Sequence, residues 1–581
     1  MGFHARLENK HRYKNPVGQM RPQPWRLRRE IVGAENPWKQ IQDAWNLEDG
    51  IARLAWMRGV DDPSELAWRL EPKWELTHEP YFLDNMGKAV SRINTAISKR
   101  EKITIYGDYD VDGVTATALL FRVLERMGAD VSFFIPNRFN DGYGIHLECI
   151  RELAHTHSPT LLISVDCGIQ SIEEVKASYE LGMEWIITDH HSISPKLPDA
   201  VAVIHPHLGT QANKHLAGVG VAFKLAQALM DAIPIPRGND ANFLDGLLKL
   251  VAIGTIADMV PLVQENALLV KRGLIALCGT NSPGLSLLLK ASGSENSISA
   301  TAIAFGIAPR INAVGRMGGA EDAVRLLLTR DFQEAQQLVE RVEQLNQERR
   351  HCQRELTKIL PPLASADEAF DLIVEPTAHK GVIGIVAGQR MRDLGQPAGV
   401  CSVIDGVAHC SLRAPEPFDL TELLCLARPF LKSGGGHKAA AGITFDMANL
   451  AFIREIFTKA TKTQALEGVS PAINIDGSDY HWVPNRQALE QLEPFGQAWP
   501  EPSVVAHGQL ERAPDLFGAG HWSLKLKELP FQLKWFFAEE KYPFGIPKDG
   551  QVLDLAISPQ DSINWGRTWR VDALLDGSKA L

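Results

Sequence analysis

The sequence predicts an α/β protein built on a mostly parallel sheet, and three observations carry the prediction. From Ile103 to Ile204, apolar runs of β-forming residues alternate with helical patterns, an order that packs a parallel sheet between layers of helix. Carboxylates and imidazoles stand just past the carboxyl ends of those runs, at Asp108, Asp166, Asp189 and His190, and the rim beyond the strands is where such sheets bind ligands. The chain also has 581 residues, more than one hydrophobic core sustains, so further domains must follow the sheet.

Taken in order, residues 1–35 form a basic arm (Arg6, Lys10, Arg12, Lys14, Arg21, Arg26, Arg28, Arg29) broken by Pro16, Pro22 and Pro24, either a mobile tail or a docking strand able to touch a phosphate backbone. The sheet domain spans 36–329. A helical pattern begins at Trp38, and the amphipathic stretch Leu83 to Glu101 delivers the chain to the first strand at Ile103. Then come a helix from Gly113 to Met127, a strand at Val131 to Ile135, a helix near Leu147 to Ala154 and a strand at Leu161 to Val165. A helix near Ile172 to Leu181 and strands at Trp185 to Thr188 and Ala202 to Ile204 complete the series.

Residues 330–361 lack Gly and Pro as far as Leu360 and are rich in helix formers, which predicts one long linking helix ended by Pro361. We expect it to space two domains whose cleft is a channel too narrow for a duplex. A second α/β domain, 362–465, opens with a strand at Phe370 to Val374 and carries the glycine-rich stretches Lys380 to Gly388 and Gly434 to Gly442. Residues 466–581 read as short alternating strands, expected to form a small β-barrel. Its aromatics Trp522, Trp535 and Phe537 are available either for base stacking or for the barrel core.

Composition bounds the function. Hydrophobic residues make up 45% and charged residues 22%, ordinary for a soluble globular protein. No apolar run has membrane-spanning length, and residues 1–30 lack the apolar segment of a secretory signal, so a cytoplasmic protein with no membrane role is expected. The seven cysteines are scattered without a C-x-x-C pair, which argues for a reducing compartment and against structural zinc. A net charge of −10 gives no global attraction to nucleic acid, so a polyanionic partner would have to meet Lys and Arg lining one groove.

The chemistry concentrates in ITIYGDYDVDGVTATA. Asp108, Asp110 and Asp112 alternate between glycines, and alternate residues of extended backbone share a face. One such Asp can be a helix cap; three together repel unless a cation lies between them. Oxygen ligands favour Mg²⁺ or Mn²⁺, and imidazole from His190 tilts the choice to Mn²⁺. Asp166 in VDCG, His190 in DHH and Asp258 in ADM complete a ligand set for two cations, an arrangement suited to phosphoester hydrolysis. Asn137 and Arg138 open a loop with Gly142 and Gly144 that can bring backbone and a bidentate guanidinium to a phosphate. Arg310, Asn312 and Arg316 read as a second basic, Gly-punctuated loop for downstream nucleotides. Gly435 and Gly436 permit close backbone approach to a phosphodiester chain, with His437 offered to phosphate or base.

The set GDYDVDG, VDCG, DHH and ADM resembles the DHH phosphoesterase superfamily, and GGGHKAAAG resembles the signature of its accessory DHHA1 domain. From about Leu54 onward the chain is similar to the RecJ single-strand-specific exonucleases, on RGVDDPSELAWRLEP, PNRFNDGYGIH, LAGVGVAFKLAQAL, IAPRINAVGRM, KGVIGIVAGQRM and LEPFG. The resemblance implies that Asp108, Asp110, Asp112, Asp166, His190 and Asp258 bind two Mn²⁺ or Mg²⁺ ions, with Asp166 the bridge. It makes His191, Asp166 and His190 the catalytic group, His191 meeting the scissile phosphate. Ser411 and Arg413 occupy places in a family G-S-x-R-S motif that binds a five-prime phosphate, although Cys410 and Ala414 replace its Gly and second Ser. Gln497, Ala498, Trp499 and Pro500 stand where the family usually reads G-N-P. The barrel becomes OB-like.

The implied function is metal-dependent 5′-to-3′ hydrolysis of single-stranded DNA in recombination and repair. A monomer is expected, with a single-strand-binding protein and a recombination helicase as candidate partners. Two competitors stay in view: a phosphodiesterase of the superfamily acting on cyclic dinucleotides or short oligonucleotides, and a non-catalytic DNA-binding scaffold.

Overall fold

The computed structural model describes residues 25–31, 36–137, 144–210, 212–233, 241–361, 370–465, 473–478, 481–483, 486–518, 520–536, 538–542, 545–562 and 566–575. Contacts divide the chain into two units. One comprises Ile31–Arg350 and Trp482–Glu501; the other comprises Met1–Glu30, His351–His481 and Pro502–Leu581.

The first unit holds the expected parallel sheet. Its five strands lie in the order Asp130–Phe134, Lys102–Gly107, Leu161–Val165, Glu184–Thr188, Ala202–Ile204, every pair parallel. The strand Leu161–Val165 is buried along its whole length, as a strand covered on both faces must be. One face packs under the helices Val111–Arg126, Gly218–Ala232 and Ala241–Ala257, whose Leu119, Val123, Phe223, Leu225 and Val251 join Ile103, Ile105 and Ile163 in a single core. The other face closes over Tyr106, Leu162 and Trp185 with Ile150 and Val175.

A second cluster lies in the same unit. Trp38, Ile41, Leu54 and Trp56 from the N-terminal helices pack on Leu489, Leu492, Phe495 and Trp499. The LEPFG segment, which its place in the chain puts in the C-terminal 466–581 domain, therefore belongs to the unit that bears the parallel sheet. Its apolar residues need a core, and the helices Lys39–Trp45 and Asp49–Met57 provide one.

In the other unit a five-stranded mixed sheet runs Ser433–Gly436, Ala440–Asp446, Val407–Arg413, Ala398–Ile404, Asp371–Val374, with only the last pair parallel. The helix Lys380–Leu394 lies on it, and its buried Arg390 pairs with the buried Asp371. Cys401 and Cys410 face each other across two neighbouring strands and are joined by a disulfide. The scattered cysteines read as a sign of a reducing compartment, whereas the hairpin brings these two opposite each other. Farther on, a six-stranded sheet follows the order Val504–Gln509, Val552–Ser562, Gly566–Leu574, Leu533–Trp535, His521–Leu524, Asp515–Phe517. An isolated antiparallel bridge between Leu510 and Leu526, flanked by the N–H of Glu511 donating to Lys525 at 2.8 Å and that of Lys527 donating to Gln509 at 2.9 Å, links the end of the first strand to the chain just past His521–Leu524. The result is a strand-rich sheet compatible with the OB-like fold, although no continuous ladder closes it among the described residues. Trp522 and Trp535 are buried edge to face, 5.8 Å between ring centroids; they are core rather than stacking platforms, and Phe537 lies outside the described residues.

The basic arm is described only from Trp25. Trp25–Leu27 forms a parallel ladder with Ile473–Ile475, Arg26 donates to Asn474 at 2.8 Å and Arg28 pairs with the buried Asp476 at 3.1 Å. This favours a docking strand over a tail for residues 25–28. The linking helix spans Phe332–Ile359. No helix among the described residues is long and apolar enough to cross a membrane.

Candidate metal centre

Strand register brings the chemistry to one rim. Gly107 lies opposite Val165, Val165 opposite Thr188 and Thr188 opposite Ile204, so four strands end level. The next residue of each, Asp108, Asp166, Asp189 and His205, emerges at the same edge. Asp112 adds a carboxylate from the first turn of the helix Val111–Arg126, and Asp258 adds another immediately after the helix Ala241–Ala257.

The alternating aspartates converge, but not by sharing the face of an extended strand. The chain turns into a helix at Val111, and Asp110 caps it, accepting from the N–H groups of Asp112 at 2.9 Å and Gly113 at 3.1 Å. Asp110 is thus a cap, and oxygens of Asp108, Asp110 and Asp166 lie within 4.8 Å of one another. Asp112 is buried and cradled by the N-terminus of the helix Gly218–Ala232, accepting from Gly218 at 2.6 Å and Val219 at 2.9 Å. Amides at a helix start favour a negative charge there.

His190 is the hub. Its Nε2 stands 3.1 Å from Asp166 Oδ1, 3.6 Å from Asp258 Oδ2 and 3.7 Å from Asp112 Oδ2. His191 stands beside it, ring centroids 4.6 Å apart, with its Nδ1 at 2.8 Å from Asp189 Oδ1 and 3.9 Å from Asp166 Oδ1, so that Asp166, His190 and His191 also bring ligand atoms within 4.8 Å of one another. Asp189 orients the loop rather than joining the ligand set: it accepts from the N–H groups of Ile169, His190 and His191 as well. The sequence reading missed His205, which is buried and meets the carbonyl of His191 through Nε2 at 2.7 Å, while its Nδ1 accepts from the His207 amide at 3.1 Å. That pairing makes Nε2 the protonated nitrogen. Its one sequence signal is its place directly after the last strand.

The electrostatics call for cations. Burial, then the charge of Asp110, pushes Asp112 up to about 7, and burial followed by Asp112 and Asp110 pushes Asp258 up to about 9. Burial and four neighbouring carboxylates raise Asp166 well above the ordinary range. Burial also works against the Asp189 carboxylate, yet the hydrogen bond and charge of His191, with two amides, outweigh it and hold that group at about 2. Burial opposes charge on His191 too, but Asp189, Asp108 and Asp110 raise it to about 9. Asp166 Oδ1 is buried and receives no hydrogen bond. Hard oxygens with one imidazole, crowded into a pocket that repels its own charge, fit Mn²⁺ or Mg²⁺.

The remaining predicted residues divide. Asn137 is exposed just past the strand Asp130–Phe134, and Arg138 lies outside the described residues. Arg310, Asn312 and Arg316 sit not on a loop but on the helix Ala308–Met317, started by a proline in its first turn, where a missing N–H costs nothing. Arg310 is buried and committed to Glu343 and to the carbonyls of Gly306 at 2.7 Å and Ala291 at 3.0 Å; it braces the fold, whereas Asn312 and Arg316 are partly exposed. In the other unit, Arg413 donates to Ser411 Oγ at 3.1 Å, and both crowd Gly384 in the helix Lys380–Leu394. Gly435 has open space where a side chain would be, and His437 is exposed. Gly436, at φ 147°, serves the turn to Ala440.

A parallel sheet with this rim, and a second mixed α/β domain after it, have the architecture of the DHH family. The chain matches the family description "DHH family, N-terminal domain" over residues 102–255 and "DHHA1 domain" over 369–463. It is 36% identical over 500 residues to the single-stranded-DNA-specific exonuclease RecJ of Bacillus subtilis, a match covering 84% of this chain and 62% of that protein. With the protein of the same name from Thermus thermophilus it shares 34% identity, covering 84% of this chain and 70% of the relative. The crystal structure of the Thermus thermophilus RecJ in complex with Mn²⁺ superposes with a TM-score of 0.80 at 30% identity, over 96% of this chain and 80% of that one. The chain belongs to the RecJ family.

Proposed function

We propose that the protein is a divalent-metal-dependent exonuclease that hydrolyses single-stranded DNA from its five-prime end. The observation that carries the reading is the convergence of Asp108, Asp110, Asp112, Asp166, His190 and Asp258 on one rim, charges that are tolerable together only around cations. Cations held there would supply an activated water and hold the phosphoryl oxygens. His191, oriented through Nδ1 by Asp189, is the residue that meets substrate, and His205 fixes the His191 main chain beneath it. The five-prime polarity rests on Ser411 and Arg413. A guanidinium and a hydroxyl beside the first turns of a helix make a fitting anion site, and the loss of the motif's Gly and second Ser leaves those two groups in place.

Single strands with and without a five-prime phosphate, labelled at either end, test the proposal, with cyclic dinucleotides run alongside. Five-prime mononucleotide release from single strands, abolished by Asp166→Ala, is the expected result. Mn²⁺ should sustain faster turnover than Mg²⁺, and Ca²⁺ little. Turnover of cyclic dinucleotides alone would replace the proposal with its competitor.

A further inference from the structure

Asp258 reaches the metal centre from a loop, and that loop is held by residues far along the chain. Its N–H closes the preceding helix on Gly254 at 2.9 Å, after which Met259 takes φ 61° and turns the chain away. Four residues after Asp258, Leu262 is gripped on both sides of its backbone. Its N–H donates to the Gln497 carbonyl at 2.9 Å, and its carbonyl accepts from the Arg69 guanidinium. Gly496 packs on the Leu262 side chain so closely that a Cβ there would stand 2.7 Å from Cδ1.

Arg69 is an unusual group to find there. It is 3% exposed, and its partners are carbonyls and an aromatic face rather than a carboxylate. It donates to Leu492 at 3.0 Å and Pro494 at 2.7 Å, and lies 4.1 Å over the Trp499 ring, whose Nε1 donates to Leu492 at 3.1 Å. Burying a guanidinium without an anion costs free energy. Its planar fork, however, can satisfy several carbonyls on separate segments at once, which an ammonium on a flexible stem cannot.

We infer that Arg69, with Trp499 and the turn 492–500, is a positioning assembly that sets the Asp258 carboxylate for metal binding. The inference rests on the reading of Asp258 as a metal ligand. It gives a physical role to the tryptophan that departs from the family's G-N-P: the indole is the face over which the Arg69 guanidinium sits while it holds Leu262. Lys271 supplies a matched control. It donates to the main-chain carbonyls of Arg69 at 2.6 Å and of Gln491, the residue before that turn, at 3.0 Å, but has no bond to Leu262.

Titration of the metal-free full chain with Mn²⁺, followed by calorimetry and by electron paramagnetic resonance, tests the assembly. Arg69→Lys and Arg69→Met are expected to weaken Mn²⁺ binding about tenfold, the scale of groups that orient a ligand, with nuclease activity recovering at saturating Mn²⁺. Lys271→Met should lower the unfolding midpoint and leave Mn²⁺ affinity unchanged. Asp258→Asn separates the two ideas: if it binds Mn²⁺ like wild type, the ligand reading fails and takes the inference with it. If Asp258→Asn is impaired while both Arg69 variants bind normally, or if Lys271→Met is impaired as much as they are, positioning is overturned. Should neither Arg69 variant fold, Trp499→Phe decides by the same titration, weakened binding supporting the assembly and unchanged affinity overturning it.

Discussion

Replacing Gly218 with Ala sets two physical effects against each other at one atom. Gly218 begins the helix Gly218–Ala232, and helix propensity alone favours Ala over Gly by up to about 1 kcal/mol. The added Cβ would nevertheless stand 2.6 Å from Asp166 Oδ1 and 2.7 Å from Asp166 Cβ, whereas carbon contacts settle at about 3.5–4.0 Å. Asp166 has little room to yield, since its backbone sits at φ 64° with its N–H bonded to Thr188 at 3.0 Å. Overpacking costs about 1–3 kcal/mol, so the net expectation is a destabilisation of up to about 2 kcal/mol. Activity should suffer more: a displacement of about 1 Å at a reacting centre costs about 100-fold, and Gly218 also donates to Asp112. Gly246→Ala, in the helix Ala241–Ala257 with open space around its Cβ position, is the control; it should gain up to about 1 kcal/mol and keep full activity. Urea unfolding and digestion of labelled single strands read both variants. If Gly218→Ala matches Gly246→Ala in stability and rate, the close packing of this helix on Asp166 is refuted.

Ala498 stands at φ 61°, a conformation glycine adopts without penalty, so Ala498→Gly should stabilise the protein by about 0.5–1 kcal/mol in urea unfolding. Asp371→Asn leaves the buried Arg390 without its counter-charge and should cost about 3–5 kcal/mol, while joint replacement of both by apolar residues should recover most of the loss. For pH, the folded-state values of Asp112 and Asp258 are raised above the ordinary 3.8 to about 7 and about 9. Their contribution to metal-free stability is therefore present below pH 4 and is lost as pH rises through 7 and 9. Mn²⁺ bound there would hold those carboxylates ionised, so the increase in unfolding midpoint on adding Mn²⁺ should be larger at pH 8 than at pH 6. An increment that shrinks with pH would contradict the assignment.

The parallel sheet is legible in the sequence because a strand buried on both faces reads as an unbroken apolar run: Leu161–Val165 and Ala202–Ile204 have the expected bounds. The carboxylate and imidazole cluster at the rim is legible because such residues recur directly after successive apolar runs. What spacing does not show is anything set by the third dimension. The helix Ala308–Met317 reads as a loop because Pro309 and Gly315 look like breakers, although proline is at ease in a first helical turn. Arg310 reads as a phosphate contact because its partner, Glu343, arrives from another helix. The LEPFG turn reads as C-terminal by its place in the chain, when its partners Arg69 and Leu262 lie far upstream. The Cys401–Cys410 bond is hidden for the same reason.

Local rules broken at one place identify the site more firmly than any single residue does. Asp166 adopts a left-handed backbone that disfavours side chains, Met259 does so beside Asp258, and Asp112 and Asp166 are buried among like charges. Each of these costs stability in a metal-free protein, by about 1–3 kcal/mol for a strained non-glycine residue. None improves packing, because the core beneath is already closed by Ile105, Val165 and Ile204. Carboxylates buried among like charges beside the level strand ends carry a cost that a bound cation would remove. Because Asp166 and Asp258 both face His190 Nε2, the same ions would also hold in register the loops that the strained residues turn.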